Sequence, residues 1–246
     1  MTLRMSRSLV RLLSLQASFT FERLQGIGIA VAEEPLLEPL GRDTPEARAA
    51  RSRSAAYFNA HPFLAGIAVG ALARAELDRE DGDRILRLRT ALSGPLGALG
   101  DQLFWAGIVP AIMGLMLLAS SLGRGLEALL GIVIGYNVCR ILVTAWGLRL
   151  GLAHGIAVAG EISHTRLRDM AGWAGALAAV VIGAAMPWVT AGLLDRGGPI
   201  HPLGLLLIGL GIAVGLLTRR RPVPAPLLTL GAGAVLLLWR WGGGPG

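Results

Sequence analysis

The stretch Gly94-Pro-Leu-Gly-Ala-Leu-Gly-Asp101 decides how the rest of the chain is interpreted. Its helix-breaking residues are Gly94, Pro95, Gly97 and Gly100. They predict a broken, loop-like backbone that ends in a single carboxylate. The chain carries no charge from Leu103 to Leu122, and an apolar run of that length predicts a membrane span. Broken backbone at such a place is tolerated where protein or a watery cavity covers it, so the stretch predicts a solute-facing loop.

The composition places the chain among membrane proteins. It has 246 residues, of which 53% are hydrophobic and 16% are charged, whereas a soluble domain carries roughly 25% charged residues. Most of the charged side chains precede residue 94. The predicted division is an N-terminal amphipathic and cytoplasmic region (1–56), a hairpin and charged helix pair with the broken loop (57–102), and a transmembrane bundle (103–246).

Apolar runs predict an all-α integral membrane protein with an N-terminal amphipathic helix, a re-entrant hairpin and about five transmembrane helices. The predicted spans are 103–122, 126–148, 170–194, 202–218 and 223–240. Arginine is concentrated in alternate joins, 74–93, 149–169 and 219–221. The positive-inside rule therefore predicts a multi-pass protein of the bacterial inner membrane, with a cytoplasmic N-terminus and an external C-terminus.

Several function classes lack support in the sequence. The net charge of +7 comes from arginines in loops and not from a basic stripe interleaved with aromatics, so nucleic acid is not an expected partner. The single cysteine, Cys139, builds neither an intrachain disulfide nor a metal cluster. Nucleophile-elbow, P-loop and zinc-protease motifs are missing, and we expect no catalytic residue, no metal and no cofactor.

The N-terminal third contains two helical patterns and a short apolar piece. Residues 3–15 place three arginines on one face and apolar residues on the other, which favours a helix on the anionic leaflet over one packed on its own protein. Phe63–Ala73 is too short to span a membrane, so it predicts a re-entrant hairpin arm. The alternating charges of residues 74–89 predict a solvated helix pair.

Two positions inside the apolar part attract attention. Asp101 follows Gly100, so it fits both an N-cap of the next span and a contact for solute hydroxyls. Arg140 lies mid-span, three residues after Asn137 on the same helical face. A lone arginine there needs an acceptor, and Asp101 or Glu22 is the predicted partner, in a solute pathway or in a structural lock.

Four further polar residues complete the candidate pathway. Asn59 and His61 precede Pro62, which favours extended backbone at His61. His61 fits a histidine that ties the hairpin by hydrogen bonds, or a solute contact. Glu22 and Gln25 have the carboxylate and amide groups that bind sugar hydroxyls, but a surface helix exposes the same groups, so both interpretations stay open.

These residues fall in blocks that resemble a known family, the IID membrane subunit of the mannose/fructose/sorbose class of bacterial phosphotransferase system (PTS) sugar permeases. The matching blocks are Gln16–Gln25 (QASFTFERLQ), Tyr57–Pro62 (YFNAHP), Gly94–Asp101 with Phe104-Trp105, Tyr136–Arg140 with Gly147 and Gly155, and Arg219–Pro222. Their order and spacing cover nearly the whole chain. Gln102 departs from the proline that is common in the family, and the external join 195–201 is short.

The resemblance implies a function that the residues alone do not give. It implies a IID-like subunit that forms the translocation unit with a IIC membrane partner, as a trimer of IIC–IID pairs in the lipid bilayer. It implies uptake of a hexose-class sugar, phosphorylated by a histidine on IIB that is supplied by IIA (the IIAB proteins). The alternative is a regulatory or interaction subunit of an incomplete PTS, without transport.

Overall fold

A computed structural model describes residues 2–194 of the chain. The predicted spans 202–218 and 223–240, the join 195–201 and the Arg219–Pro222 block lie outside the described residues. The described part is helical and contains no β-strand. Its helices are α1 (Leu3–Leu13), α2 (Gly26–Leu37), α3 (Pro45–Ser54), α4 (Ala65–Leu77), α5 (Gly82–Gly100), a π-helix (Asp101–Ile108), α6 (Val109–Ser121), α7 (Gly125–His154), α8 (Val158–His164) and α9 (Leu167–Leu194).

Local capping residues define where the polar helices begin. The Thr2 hydroxyl accepts from the Met5 N–H at the start of α1, and the Thr44 hydroxyl accepts from the Ala47 N–H at the start of α3. Asp81 caps α5 by accepting from the N–H groups of Asp83 and Arg84. These side chains satisfy backbone donors that have no partner within the helix.

Three helical segments are long and apolar enough to cross a membrane: Gly82–Ser120, Gly125–Ser163 and Leu167–Ala185. The chain is therefore an all-α membrane protein, and its second and third segments contain the predicted spans 126–148 and most of 170–194. The first segment begins about twenty residues before the predicted span 103–122, because α5, the π-helix and α6 follow one another without a break.

The glycine-rich block is helical, which corrects the prediction of a broken loop. Gly94, Pro95 and Gly97 lie inside α5, and Gly100 is its last residue. Asp101 has helical backbone angles (φ −62°, ψ −43°) and continues into the π-helix. It is therefore not the N-cap of a span. The φ of Gly100 (−68°) is in the ordinary helical range, and the missing side chain at this position admits the close approach of His61.

α4 forms the centre of the core. Its residues Ala65 to Ala73 are buried on every side, although the helix has only 13 residues. The short apolar piece is thus a buried helix, joined to α5 by the turn at residues 78–81. α4 packs along α7, where Gly66 and Gly70 face Gly147 and Gly151 and leave the two backbones in direct approach. Small residues at four-residue spacing permit such contact between membrane helices.

α1 packs on the protein, which corrects the prediction of a helix on the membrane surface. Its apolar residues Met5, Leu9 and Leu12 are buried in the same core as α2 and α4. Its arginines form ion pairs with acidic residues at the end of α2 and just beyond it. These pairs are Arg4–Glu38, Arg7–Glu38 and Arg11–Glu34. The apolar face is therefore occupied by the protein's own helices and is not available to acyl chains.

Candidate functional site

Two irregular segments, 19–25 and 57–62, lie side by side next to the core. The Gln25 N–H donates to the Phe58 carbonyl at 2.9 Å, and the Phe58 N–H donates to the Arg23 carbonyl at 3.3 Å. Leu24 adopts a positive φ of 46°, which turns the chain into this pairing. The first two sequence blocks, far apart along the chain, are thus joined by backbone hydrogen bonds.

The Gln25 side chain strengthens this junction. Its Nε2 donates to the Ala60 carbonyl at 2.6 Å, and its Oε1 accepts from the Ala60 N–H at 3.1 Å. The side chain is buried, with 1% of its residue surface exposed. Both ends of the amide bind backbone, so Gln25 positions segment 57–62 and presents no amide group to a solute. We therefore assign Gln25 a structural role in place of the predicted contact with a solute.

α5 holds the same segment from the other side. Arg89 donates to the carbonyls of Ser54 and Ala56, both at 2.7 Å, and to the Tyr57 carbonyl at 3.2 Å. The Ser93 hydroxyl accepts from the Asn59 N–H at 3.2 Å and donates to the Asn59 carbonyl. The Asn59 side chain remains exposed. Helix α5 therefore fixes the backbone that leads to His61.

His61 lies at the meeting point of these segments and the π-helix. Its ring stacks on Phe104, with centroids 4.8 Å apart and planes inclined by 13°, and it meets the Phe63 ring edge-on at 5.0 Å. The close approach requires glycine at position 100, because an added Cβ there would lie 2.1 Å from the His61 Cβ. Only 1% of the His61 surface is exposed.

The hydrogen bonds of His61 define its tautomer. Burial lowers its pKa from the ordinary value of 6.5 to about 4, against the opposing effect of the nearby Asp101 carboxylate, so the ring is neutral at pH 7. Nδ1 accepts from the Phe63 N–H at 3.3 Å. The ring proton therefore resides on Nε2, which is buried and has no partner within the described part of the chain.

The π-helix has both buried and exposed side chains. Leu103 and Phe104 are buried, whereas Asp101, Gln102 and Trp105 are exposed. The Trp105 ring is half-exposed and lies 5.6 Å from the His61 ring. π-Helices are rare and frequently coincide with functional sites. A carboxylate and an indole are thus presented next to a buried imidazole.

Arg140 has a different partner from the predicted ones. Its Nη2 donates to the Leu13 carbonyl at 2.5 Å, at the end of α1, and its guanidinium lies 5.5 Å from the centre of the Phe63 ring. Among the ion pairs of the described residues, none joins Arg140 to Asp101 or Glu22. The last carbonyls of a helix attract a cation, which explains why Arg140 binds the Leu13 carbonyl at the end of α1. Arg140 therefore ties α7 to α1.

The last two predicted site residues are not among the contacts of His61 and Arg140 described above. Asn137 is exposed and its Nδ2 donates to the Val133 carbonyl of its own helix at 2.8 Å. Glu22 is exposed in the turn between Phe19 and Leu24. The structure thus brings His61 and Asp101 together, connects Asn59, Gln25 and Arg140 to them through backbone and ring contacts, and leaves Glu22 and Asn137 on the surface.

A buried charged cluster was missed by the sequence reasoning. Arg53 forms a two-pronged ion pair with Glu76, with N–O distances of 2.8 and 2.6 Å, and Ser54 donates its hydroxyl to Glu33. Burial raises the pKa of Glu33 to about 7, and the nearby Arg89 opposes this rise. The run 74–89 was predicted to be solvated, but Glu76 and Arg89 are buried. Glu33 within the apolar run of α2 was the available signal.

Metal binding finds no support within residues 2–194, where no group of three or more His, Cys, Asp or Glu side chains is arranged to hold an ion. The arrangement at His61 consists instead of one buried donor, one exposed carboxylate and aromatic rings. Such groups bind by hydrogen bonding and stacking.

The family comparison decides what kind of protein this is. The family model of the PTS mannose/fructose/sorbose family IID component matches residues 3–192. The chain belongs to this family. The four IID-type blocks in the described part of the chain, at 16–25, 57–62, 94–105 and 136–140, are those that meet around His61 and Phe63.

Individual relatives agree with this assignment, and two solved structures share the fold. The fructose permease IID component of Bacillus subtilis (strain 168) is 25% identical over 84% of this chain and 83% of its own length. The mannose-specific EIID component of Escherichia coli (strain K12) is 28% identical over 76% of this chain and 70% of its own length. The fold resembles a solved membrane protein with a TM-score of 0.72, at 24% identity over 98% of this chain and 97% of that one. It also resembles a chain of the mannose transporter ManYZ–microcin E492 complex, with a TM-score of 0.58 at 23% identity over 99% and 97%.

Proposed function

We propose that this chain is the IID-type subunit of a PTS sugar permease and forms the translocation unit with a IIC partner. The observation that carries the proposal is the family match over residues 3–192, together with three helices long enough to cross a membrane. Relatives are named for fructose, mannose and sorbose. A hexose-class sugar is therefore the proposed solute.

The surface of α7 supports a partner inside the membrane. Large apolar side chains are exposed along this helix, among them Leu126, Leu130, Val133, Ile134 and Leu142. A face of this kind is covered by lipid or by another membrane subunit. We assign part of it to IIC, in an assembly of three IIC–IID pairs, and the likeness to the ManYZ mannose transporter supports such a partnership.

The phosphoryl group is proposed to reach the sugar from a partner protein. The resemblance to the family implies that the donor is a histidine on IIB, recharged by IIA, at the cytoplasmic face. The N-terminus is proposed to lie on that face of the bacterial inner membrane, because the arginine-rich joins are retained in the cytoplasm.

Uptake in a host that lacks its own mannose-class permease tests the proposal. This chain is expressed together with IIC and IIAB proteins of the mannose class, and the entry of labelled mannose, fructose and sorbose is measured. We expect accumulation of at least one phosphorylated sugar, and background uptake when this chain alone is omitted. Equal uptake with and without this chain would contradict the proposed function.

The alternative, a regulatory membrane subunit, is motivated by Gln102 in place of the family's proline and by the short join 195–201. Gene neighbourhood separates the two functions. Genes for IIC and IIAB beside this one support transport, whereas an isolated gene among regulators supports the alternative.

A further inference from the structure

We propose that Asp101, Trp105 and His61 form a binding site for the ring of a neutral sugar on this subunit. This sugar-ring site rests on the proposed function, since it assigns a solute contact to the translocation unit. It is carried by three features that share one place at the π-helix: a hydrogen-bond donor and a carboxylate acceptor that are both without a partner among residues 2–194, and a half-exposed indole.

The donor is the Nε2–H group of His61. Because Nδ1 accepts from the Phe63 N–H, a neutral ring carries its proton on Nε2. That atom is buried and has no acceptor within the described residues. A buried N–H without a partner is unfavourable, so such atoms in native proteins call for an acceptor beyond the described residues, and here we assign that role to a bound solute.

The acceptor is Asp101. Its side chain is exposed within an apolar membrane-crossing segment, and none of the ion pairs in residues 2–194 includes it. Ionisable groups at such positions are costly in lipid and usually face a watery cavity or a pathway. Asp101 is close enough to His61 for its charge to act on the imidazole.

Trp105 supplies the apolar surface. It follows Asp101 by four residues, so both side chains project from adjacent turns of the π-helix, and 52% of its surface is exposed. Its ring centre is 5.6 Å from that of His61. The C–H face of a pyranose stacks on an indole, while its hydroxyls bind the polar groups at the edge of the ring.

A sugar hydroxyl matches the two polar groups at once. Its oxygen accepts from His61 Nε2–H and its hydrogen is donated to the Asp101 carboxylate. An anionic solute would be repelled by Asp101, and a metal cation finds no group of three or more His, Cys, Asp or Glu side chains in the described residues. A neutral polyhydroxylated ring fits this combination best.

Two histidine variants separate the ligand role from a structural role. His61→Gln keeps a donor near the position of Nε2 but loses the acceptor for the Phe63 N–H. His61→Asn keeps that acceptor but loses the donor. The probe is the binding of mannose, fructose and sorbose to the purified IIC–IID pair. We expect His61→Asn to bind at least about tenfold more weakly than the wild type, and His61→Gln to retain more of the affinity.

Trp105 gives a second readout that does not depend on a buried residue. We expect the sugar to change the tryptophan fluorescence of the wild-type pair, and Trp105→Phe to lose most of that change with affinity reduced by less than about tenfold. Trp105→Leu, which removes the aromatic ring, should bind at least about tenfold more weakly. Recovery of the IIC–IID pair is measured for each variant.

The outcomes are distinguishable. If the wild-type pair binds and transports none of the three sugars, the proposed function and the sugar-ring site both fail. If it binds a sugar and the His61→Asn and Trp105→Leu pairs bind it equally well, only the sugar-ring site fails. Loss of IIC from the His61→Asn preparation with normal binding in Trp105→Leu would overturn the site in favour of a partner side chain at His61.

Discussion

Gly100 is the residue on which the position of His61 depends most directly. An added Cβ at this position would lie 2.1 Å from the His61 Cβ, whereas at Gly97, one turn earlier, the nearest atom would be the Ala60 Cα at 3.8 Å. The first distance requires the backbone to move, and the second is an ordinary contact. The two glycines of the same block therefore have different roles.

We predict that Gly100→Ala destabilises the protein by about 1–3 kcal/mol or more, because it overpacks the contact with His61. Gly97→Ala is the control and is expected to be neutral or stabilising by up to about 1 kcal/mol through its helix propensity. The measurement is the thermal unfolding midpoint in detergent. Equal midpoints for the two variants would mean that α5 and the segment 57–62 do not approach each other as described.

Glu33 makes the stability depend on pH. Its pKa is raised from 4.5 to about 7 by burial, so between these values the folded protein holds a proton that the unfolded chain has lost. Its contribution to stability is complete below about pH 4.5 and is lost as the pH rises through 7. We predict that Glu33→Gln, which keeps an acceptor for Ser54, matches the wild type at pH 5 and exceeds it at pH 8.

The unfolding midpoints of both proteins between pH 5 and 8 test this prediction. His61 acts in the opposite direction, since its lowered pKa gives stability that is present above 6.5 and lost as the pH falls through about 4. The difference between variant and wild type removes that contribution. A difference that does not change with pH would show that Glu33 is not buried as described.

Individual residues show which parts of the candidate site the sequence reveals and which it does not. Asp101 and His61 were selected from an isolated carboxylate and an X-Pro pair, and the structure places them next to each other. The roles of Gln25 and Arg140 could not be predicted, because each binds a backbone carbonyl, at Ala60 and Leu13. A backbone group carries no sequence signature, so only the fold reveals such a partner.

At the scale of elements, the pair α4–α7 forms the closest helix contact in the described residues. An added Cβ at Gly151 would lie 2.2 Å from the Ile67 carbonyl oxygen, and one at Gly70 would lie 2.4 Å from the Leu148 carbonyl oxygen. Both helices carry glycines at four-residue spacing. The G-x-x-x-G pattern that each helix carries is the sequence feature that corresponds to this contact.

We predict that Gly151→Ala separates α4 from α7 and lowers stability by about 2 kcal/mol or more, since backbone cannot move aside as a flexible side chain can. Gly131→Ala, in the same helix but with nothing within 4 Å, is the matched control. The readout is the yield of monodisperse protein together with the thermal midpoint. Normal behaviour of Gly151→Ala would contradict the described α4–α7 contact.

The glycine-rich block shows why the element boundaries were predicted wrongly. Glycine and proline favour a break in isolation, but Pro95 lies in a helix that is held on both sides, by Ser93 at Asn59 and by Leu96 in the core. Tertiary packing outweighs the local preference. Glycine and proline occur both in loops and in helices that pack closely against a neighbouring segment. The hydrophobic periodicity of the sequence therefore could not distinguish the two structures.

At the scale of the whole molecule, four blocks that are separated by up to 120 residues meet around His61 and Phe63. The presence of membrane-crossing helices was predictable from hydropathy, and the family resemblance was confirmed over residues 3–192. The meeting of the blocks was not predictable from residue patterns, because it depends on α4 being buried between α2, α5 and α7. This meeting point brings His61 next to Asp101 and gives Gln25 and Arg140 their backbone partners.

The initial rate of sugar uptake by the Asp101→Asn variant, measured at equal recovery of the IIC–IID complex, tests the central claim that this junction lies on the solute path. The substitution keeps the size of the side chain and removes its charge. We predict normal assembly and uptake reduced at least about tenfold, as expected for loss of a hydrogen bond to a charged group. Uptake at the wild-type rate in a fully assembled complex would contradict the account.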